Sequence, residues 1–363
     1  MRKLLLCGAA LGSLGALGAL ITAQPAYAEE TNGVQLKLGG YFKGYINYVD
    51  QDEAAGQSVH AVDLLRQTEV HFDGKTTLDN GLTVGTHIEG RADVGDDFAV
   101  DETYIFFSGD WGRVNFGGTY GAPYILQVVA PAADTNIDGR LQLFNPINFT
   151  AAGLNATNVG ETDYDHDVSA KVDKITYLTP LFSGFQAGVS YTPDNDASRA
   201  LFGNAPDNDD TVATTDIWDI AARFEQKLEQ FAYRIGAGYT KGQTETGSGE
   251  DRDAWNVALD FDIGAFGIGA AYQVDDLGNA NDDVSYSVIG VDYTMGDFVY
   301  GASYYNKDND INDIDFDRYS VGVQYTYGPG MTFNGSVGYY DIDDASTDDV
   351  NATAVMIGTN WKF

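Results

Sequence analysis

The sequence predicts an all-β protein: a transmembrane antiparallel β-barrel of about 16 strands, with short turns at one end and longer loops at the other. Three observations predict it. Apolar and polar residues alternate with period two along most of the chain, connections alternate in length, and an acidic composition is combined with abundant aromatics. The formal charge is −34, yet the chain carries 23 Tyr and 19 Phe, too many for a disordered acidic polymer.

The alternation begins at Val34. In VQLKLGGYFKGYINYV, Val34, Leu36, Leu38, Phe42, Ile46 and Tyr48 share one parity, while Gln35, Lys37, Tyr41, Lys43 and Asn47 share the other. The same pattern returns in WDIAARFEQ, FAYRIGAGYT, AWNVALDFDIG, FGIGAAYQV, FVYGASYYN, DRYSVGVQYTYG and MTFNGSVGYYD. One such segment says little; a long series separated by turn residues specifies a large antiparallel sheet. Its polar parity is rich in small and charged residues and its apolar parity in Tyr, Phe, Trp and Val. This suits a wet interior and a lipid-facing exterior better than a β-sandwich. Closure into a barrel also removes exposed edges.

Tight connections at LDNGL, GDWG, TPLFSG, DIGAF, TMGD and YGPG contrast with longer acidic stretches at 50–63, 193–215, 241–252 and 308–313. Counting seven turns and eight loops gives the strand number and places both termini on the turn side. The longest connection, 122–171, follows the fifth strand.

The front end reads as a secretory signal peptide, residues 1–28: Arg2 and Lys3, an apolar stretch Leu4–Ile21, and the cleavage site Ala26-Tyr27-Ala28. Residues 29–363 then form one barrel domain, without cysteine because Cys7 lies in the signal. Removing Arg2 and Lys3 takes the charge to −36, which excludes nucleic acid as a partner. After the signal, no apolar run approaches the roughly 18 residues of a membrane-spanning helix.

The stretch RQTEVHFDGKTTLDNGLTVGTHIEGRAD fixes a register. Val70, Phe72, Val84, Thr86 and Ile88 face outward, so paired numbers sum to an even value, and the turn Asp79-Asn80-Gly81 sets that sum. Glu69 then faces Arg91, His71 faces Glu89, and Asp73 faces His87, all inside. Histidines beside carboxylates also suit acid–base or metal chemistry. No nucleophile motif or HExxH accompanies them, however, so the ladder reads as wall electrostatics and the protein as no enzyme.

KITYLTPLFSGFQAGVSY, residues 174–191, resembles the strand–turn–strand signature of the Gram-negative general (trimeric) porin family, and alphaproteobacterial porins in particular. Ile175, Tyr177, Pro180, Phe182, Gly184 and Phe185 carry the match; Thr176 stands where the family has arginine, with Lys174 two residues earlier on the inward parity. ETYIFFSGDWGRVNFGGTYGA is similar to a second family segment, with Gly118 replacing its last arginine. The terminal Phe363 is a third likeness. The resemblance spans essentially the whole mature chain.

It implies an outer-membrane homotrimer passing small hydrophilic solutes and ions by passive diffusion, without a required cofactor, through a pore narrowed by its third loop. On that reading Asp134, Asp138, Glu161, Asp163, Asp165 and Asp167 line the constriction from 122–171. They face a wall holding Lys37, Lys43, Lys75, Arg91, Arg113 and Lys174 beside Glu69, His71, Asp73, His87 and Glu89. Phe363 becomes the mark read by the barrel-assembly machinery. The net charge leads us to expect cation preference.

DNDINDIDFD fails the EF-hand pattern, with Asp313 in place of glycine and Tyr319 in place of glutamate. Asp308, Asp310 and Asp313 could still bind Ca2+ or Mg2+, or bridge neighbouring lipopolysaccharide, with a hydrated acidic surface as the alternative. A substrate-specific channel, an outer-membrane hydrolase and a calcium-dependent adhesin are the rival functions. Tyr41, Tyr45, Tyr305 and Tyr340 are inward but too scattered to indicate an aromatic slide.

Overall fold

The computed structural model describes residues 33–94, 97–132, 144–195, 214–244 and 250–363. The predicted signal peptide lies outside the described residues. In chain order the elements are β1 (Gln35–Gln51), β2 (Val62–Thr77), β3 (Thr83–Val94), β4 (Asp97–Gly109), β5 (Gly112–Gly118), α1 (Ala122–Leu126), α2 (Phe149–Ala152), α3 (Ala156–Val159), β6 (Asp173–Leu178), β7 (Phe185–Asp194), β8 (Thr214–Lys227), β9 (Phe231–Thr244), β10 (Arg252–Ile263), β11 (Phe266–Asp275), β12 (Val284–Met295), β13 (Phe298–Asn309), β14 (Ile314–Gly328), β15 (Met331–Asp344) and β16 (Val350–Lys362).

Each strand pairs antiparallel with its sequence neighbours, and β1 pairs with β16, so the sheet is a closed 16-stranded barrel. Phe42 stands opposite Trp361 and Ile46 opposite Ile357 at the closure. Because side chains alternate, this register puts Ile46, Tyr48 and Ile357 outside while Tyr45, Asn47 and Val49 are buried inside. Phe363 continues the wall, exchanging two 3.1 Å backbone hydrogen bonds with Gly40.

The first hairpin has the expected register: Glu69 opposite Arg91, His71 opposite Glu89, Asp73 opposite His87. Its turn is set by Gly81, whose φ of 84° lies in the left-handed region and whose N–H donates to the Leu78 carbonyl at 2.9 Å.

Aromatics band the exterior near both strand ends. Tyr191–Trp218, Trp255–Tyr272 and Tyr304–Tyr319 pack at 4.8, 5.5 and 4.9 Å at one end. Phe266–Tyr293, Phe298–Tyr325 and Trp361–Phe363 pack at 4.6, 4.7 and 5.1 Å at the other. Such girdles sit at the two membrane interfaces.

The expected long connection at 308–313 is corrected. Asp308 and Asn309 still pair with Asp315 and Ile314, leaving only Asp310–Asp313 between β13 and β14. The strands continue because their inward residues Lys307, Asn309, Ile314 and Phe316 are covered from inside by the connection between β5 and β6.

Candidate permeation site in the barrel lumen

The described parts of the connection, 119–132 and 144–172, run inside the barrel. α1 follows β5 and packs on the inner faces of β6–β9, where Ala122 N–H donates to Ser190 Oγ at 2.8 Å. Wall glycines make room for this outgoing leg. An ideal Cβ at Gly236 would stand 2.9 Å from Val128, at Gly238 2.9 Å from Pro123, at Gly269 2.8 Å from Pro131, and at Gly290 2.1 Å from the Pro131 carbonyl oxygen. Gly269 and Gly290 are direct cross-strand partners, so the chain crosses at a flat spot in the sheet.

The returning leg is fastened mostly through its backbone. Asn47 donates to the Pro146 carbonyl at 3.1 Å, and Lys307 Nζ to the carbonyls of Val159 and Glu161 at 2.6 and 2.9 Å. Arg318 donates to Thr162 at 2.9 Å, Tyr305 to Asp163 at 2.9 Å and Gln273 to Asp165 at 3.0 Å. Between this leg and β10–β16 lies an apolar core that includes Phe149, Leu154, Val159, Tyr164, Phe316 and Ile342. The lumen beside β10–β16 is therefore packed like a soluble domain, whereas the inward charges of β2–β4 lie outside that core.

Lys174 anchors the root of the loop. Its buried ammonium donates to the carbonyls of Thr119, Ser169, Ala170 and Val172 at 2.5–3.1 Å, joining the two ends of the connection. This corrects its expected place as an open wall charge: at 2% exposure it is covered by the loop it holds. Next to it, Ser169 Oγ and Thr240 Oγ1 both donate to Asp219, and His166 Nε2 reaches Thr240 Oγ1 at 2.8 Å. Since that hydroxyl gives its proton to Asp219, it accepts from His166, which is the neutral Nε2–H tautomer. Burial pushes His166 down to about 4, outweighing the nearby Asp275 carboxylate.

The facing wall has an unexpected polarity. Glu89 pairs with Glu102 and Gly90 with Val100, so Asp101 is the extra residue of a β-bulge. The bulge brings Asp101 and Glu102 to the lumen together, adjacent to Glu69 and Glu89. Lys171, from the loop, meets this wall. Its Nζ bonds Asp101 and lies 3.8 Å from both Glu89 and Glu102. Burial alone would lower the Lys171 ammonium, but the Glu102, Glu89 and Asp101 carboxylates outweigh it and raise it. Arg91 Nε completes the cluster, 4.0 Å from Glu69 and 3.9 Å from Asp101. To the expected Glu69, Glu89 and Arg91 the wall thus adds Asp101 and Glu102, and the loop brings a cation, Lys171, to meet them.

The other expected residues disperse. Lys37 stands opposite Asp73, Lys43 lies 6.0 Å from the Tyr41 ring, and Lys75 is exposed at the turn end of β2. Arg113 stacks 3.9 Å from the Phe106 ring while donating to Asn115 at 2.6 Å. Glu161, Asp163, Asp165 and Asp167 follow one another on the returning leg, whose backbone carbonyls are held by β11, β13 and β14. Burial pushes Asp167 up to about 8, against the pull of Lys174 and Lys171. Asp134 and Asp138 lie outside the described residues. Lys171, Asp101, Glu102, Lys307 and Arg318 were missed by the sequence reading. Inward parity would have found Lys307 and Arg318, but nothing local announces the bulge.

A closed barrel with an apolar exterior, aromatic girdles and a charged lumen narrowed from inside is the architecture of an outer-membrane β-barrel. Residues 13–345 match the family model for the Gram-negative porin, and the chain belongs to that family. Two uncharacterised proteins, from Rickettsia conorii and Rickettsia felis, are each 23% identical, over 237 and 214 residues, or 59% and 53% of this chain. The matches cover 52% and 48% of those proteins, so the chain spans about half the length of the curated relatives it matches. Among solved structures, the anion-selective porin from Comamonas acidovorans superposes with a TM-score of 0.64 at 18% identity, covering 91% of this chain and 100% of that one. A substituted Rh. blastica porin gives 0.58 at 17% identity, again over 91% and 100%.

Proposed function

We propose that this porin is a channel for passive diffusion of small hydrophilic solutes, that it prefers cations and that it works as a homotrimer. One observation carries the preference: where the loop meets the wall, Glu69, Glu89, Asp101 and Glu102 outnumber the permanent cations Arg91 and Lys171. Carboxylates in a confined aqueous path raise the local cation concentration. Lys174 and Lys307 do not offset this, since both ammonium groups are buried against loop carbonyls. A neighbour in the fold carries the description anion-selective, so the sign has to be measured. The reversal potential of single channels across a tenfold KCl gradient tests it; a value favouring chloride refutes the reading.

The exterior of β1–β5 supports assembly. It presents Val34, Leu36, Leu38, Val62 and Leu64 beside Phe72, Phe98 and Phe116, with Tyr48 as the one exposed tyrosine among its described residues, whereas the paired aromatic bands lie on β7–β16. Arg66 is exposed on the same outward parity, across from Gly44. A lipid-facing cation is costed at about 2–4 kcal/mol at mid-membrane and less near the interface, so a subunit contact over this face relieves it. Sedimentation of the detergent-solubilised protein should give three copies, and a single copy would refute assembly.

A further inference from the structure

We propose that the first hairpin holds a zinc-binding site in the pore wall, formed by His71, His87 and Glu89, through which a soft divalent cation blocks the channel. It goes beyond the diffusion function, which needs no bound ion.

The three side chains come from adjacent inward positions of β2 and β3. His71 and Glu89 are direct cross-strand partners, and His87 precedes Glu89 by one pleat. Their ligand atoms all lie within 4.8 Å of one another. Glu89 Oε2 is 3.4 Å from His87 Nε2 and 3.8 Å from His71 Nε2. Bonds of about 2.0–2.1 Å in a tetrahedron place ligand atoms about 3.4 Å apart, so small rotations seat an ion at their centre. Two imidazoles with one carboxylate is a set that favours zinc over the hard cations calcium and magnesium, which take all-oxygen cages.

Two further features separate this cluster from a chance grouping. His87 Nδ1 lies 2.7 Å from Asp73 Oδ1. A carboxylate there accepts the Nδ1 proton, so zinc takes the place of the Nε2 proton between His87 and Glu89, as at metal-bound histidines whose other nitrogen is held by an outer partner. The neighbouring cations also leave the site open. Lys171 lies 3.8 Å from the other Glu89 oxygen, Oε1, and Arg91 is 4.0 Å from Glu69 Oε1. Glu69 Oε2, 3.4 Å from His71 Nε2, stands beside the remaining corner, which pore water fills otherwise. The His71 side chain is 27% exposed, so an ion arriving through the lumen reaches the site without opening the barrel. Asp308, Asp310 and Asp313, the external candidates, belong to neither of the two ligand groupings among the described residues.

The test is zinc chloride added to purified channels in planar bilayers, with isothermal titration of the same protein in detergent. Conductance should fall saturably, return with a chelator, and be unaffected by equal calcium or magnesium. The zinc-free conductance of each variant is its own reference, which also shows that it inserts. His71→Gln/His87→Gln should lose the block and the binding heat. Asp73→Asn, which keeps every ligand, should weaken zinc about 10- to 100-fold. Zinc block that persists in the double histidine variant, or an inserted wild-type channel that shows no saturable zinc binding, overturns the site. Either result leaves the zinc-free conductance intact, so failure here is distinct from failure of the channel reading.

Discussion

Replacing Lys174 by methionine should unseat the loop while leaving the barrel closed. The buried ammonium has three protons and donates to four carbonyls drawn from both ends of the loop. Hydrogen bonds to a charged group contribute about 1.5–3 kcal/mol each, and carbonyls left buried without a donor cost about 1–3 kcal/mol each. Relief of the desolvation carried by the buried charge offsets several kcal/mol of this sum. A net cost of about 4 kcal/mol is reasonable, roughly a thousandfold in the ratio of seated to released loop. Single-channel recording should show a higher mean conductance with frequent steps between levels, and limited proteolysis should cut within 119–172. The wall should be spared, because its strands are held by their own ladders. A Lys174→Met channel with wild-type conductance, wild-type noise and a protease-resistant loop would refute the clip.

Gly290→Val forces a side chain into the Pro131 carbonyl, and overpacking of this kind costs about 1–3 kcal/mol. Conductance noise should rise, whereas Gly335→Ala, with 3.9 Å to its nearest neighbours, should leave it unchanged. The loop should also show opposed pH responses. His166, held at about 4, takes up a proton on release, so its contribution of about 3 kcal/mol is lost as pH falls from 6.5 toward 4. Asp167, held up to about 8, loses its proton on release, so its contribution fades as pH rises from the usual carboxylate range toward 8. Asp167→Asn should therefore loosen in acid and His166→Gln on raising the pH, as read from noise against pH; matching profiles would contradict the assignment. Phe363→Ala should lower the yield of assembled barrel in the outer membrane with little change in conductance, because the Phe363 ring packs on Trp361 on the outer face of the barrel and does not enter the lumen. Normal assembly would remove its expected role.

Period-two alternation, turn residues and charge pairing along β2 and β3 were enough to read the strands, the closure and the first register. These features are local: each strand writes its two faces into its own odd and even positions. The bulge at Asp101 is different, because the extra residue is visible only once both strands are aligned. The loop's inner core is also silent in sequence. Phe149, Leu154 and Val159 belong to a connection, and their partners on β10–β16 are far away in sequence, as Phe316 is from Phe149. The acids of 161–167 were correctly placed on the long loop, but their facing direction depends on carbonyls gripped by Lys307, Arg318 and Tyr305.

The apolar core that ties the loop to β10–β16 divides labour around the barrel's circumference. One arc is a mechanical buttress, intolerant of added volume, as Gly269 and Gly290 show. The opposite arc, β2–β4, carries the charges and touches the loop only near its root, through Lys171 and Thr119. Evolution or an engineer can rewrite conductance and ion preference on that second arc one side chain at a time, with the narrowing itself kept as a fixed mould.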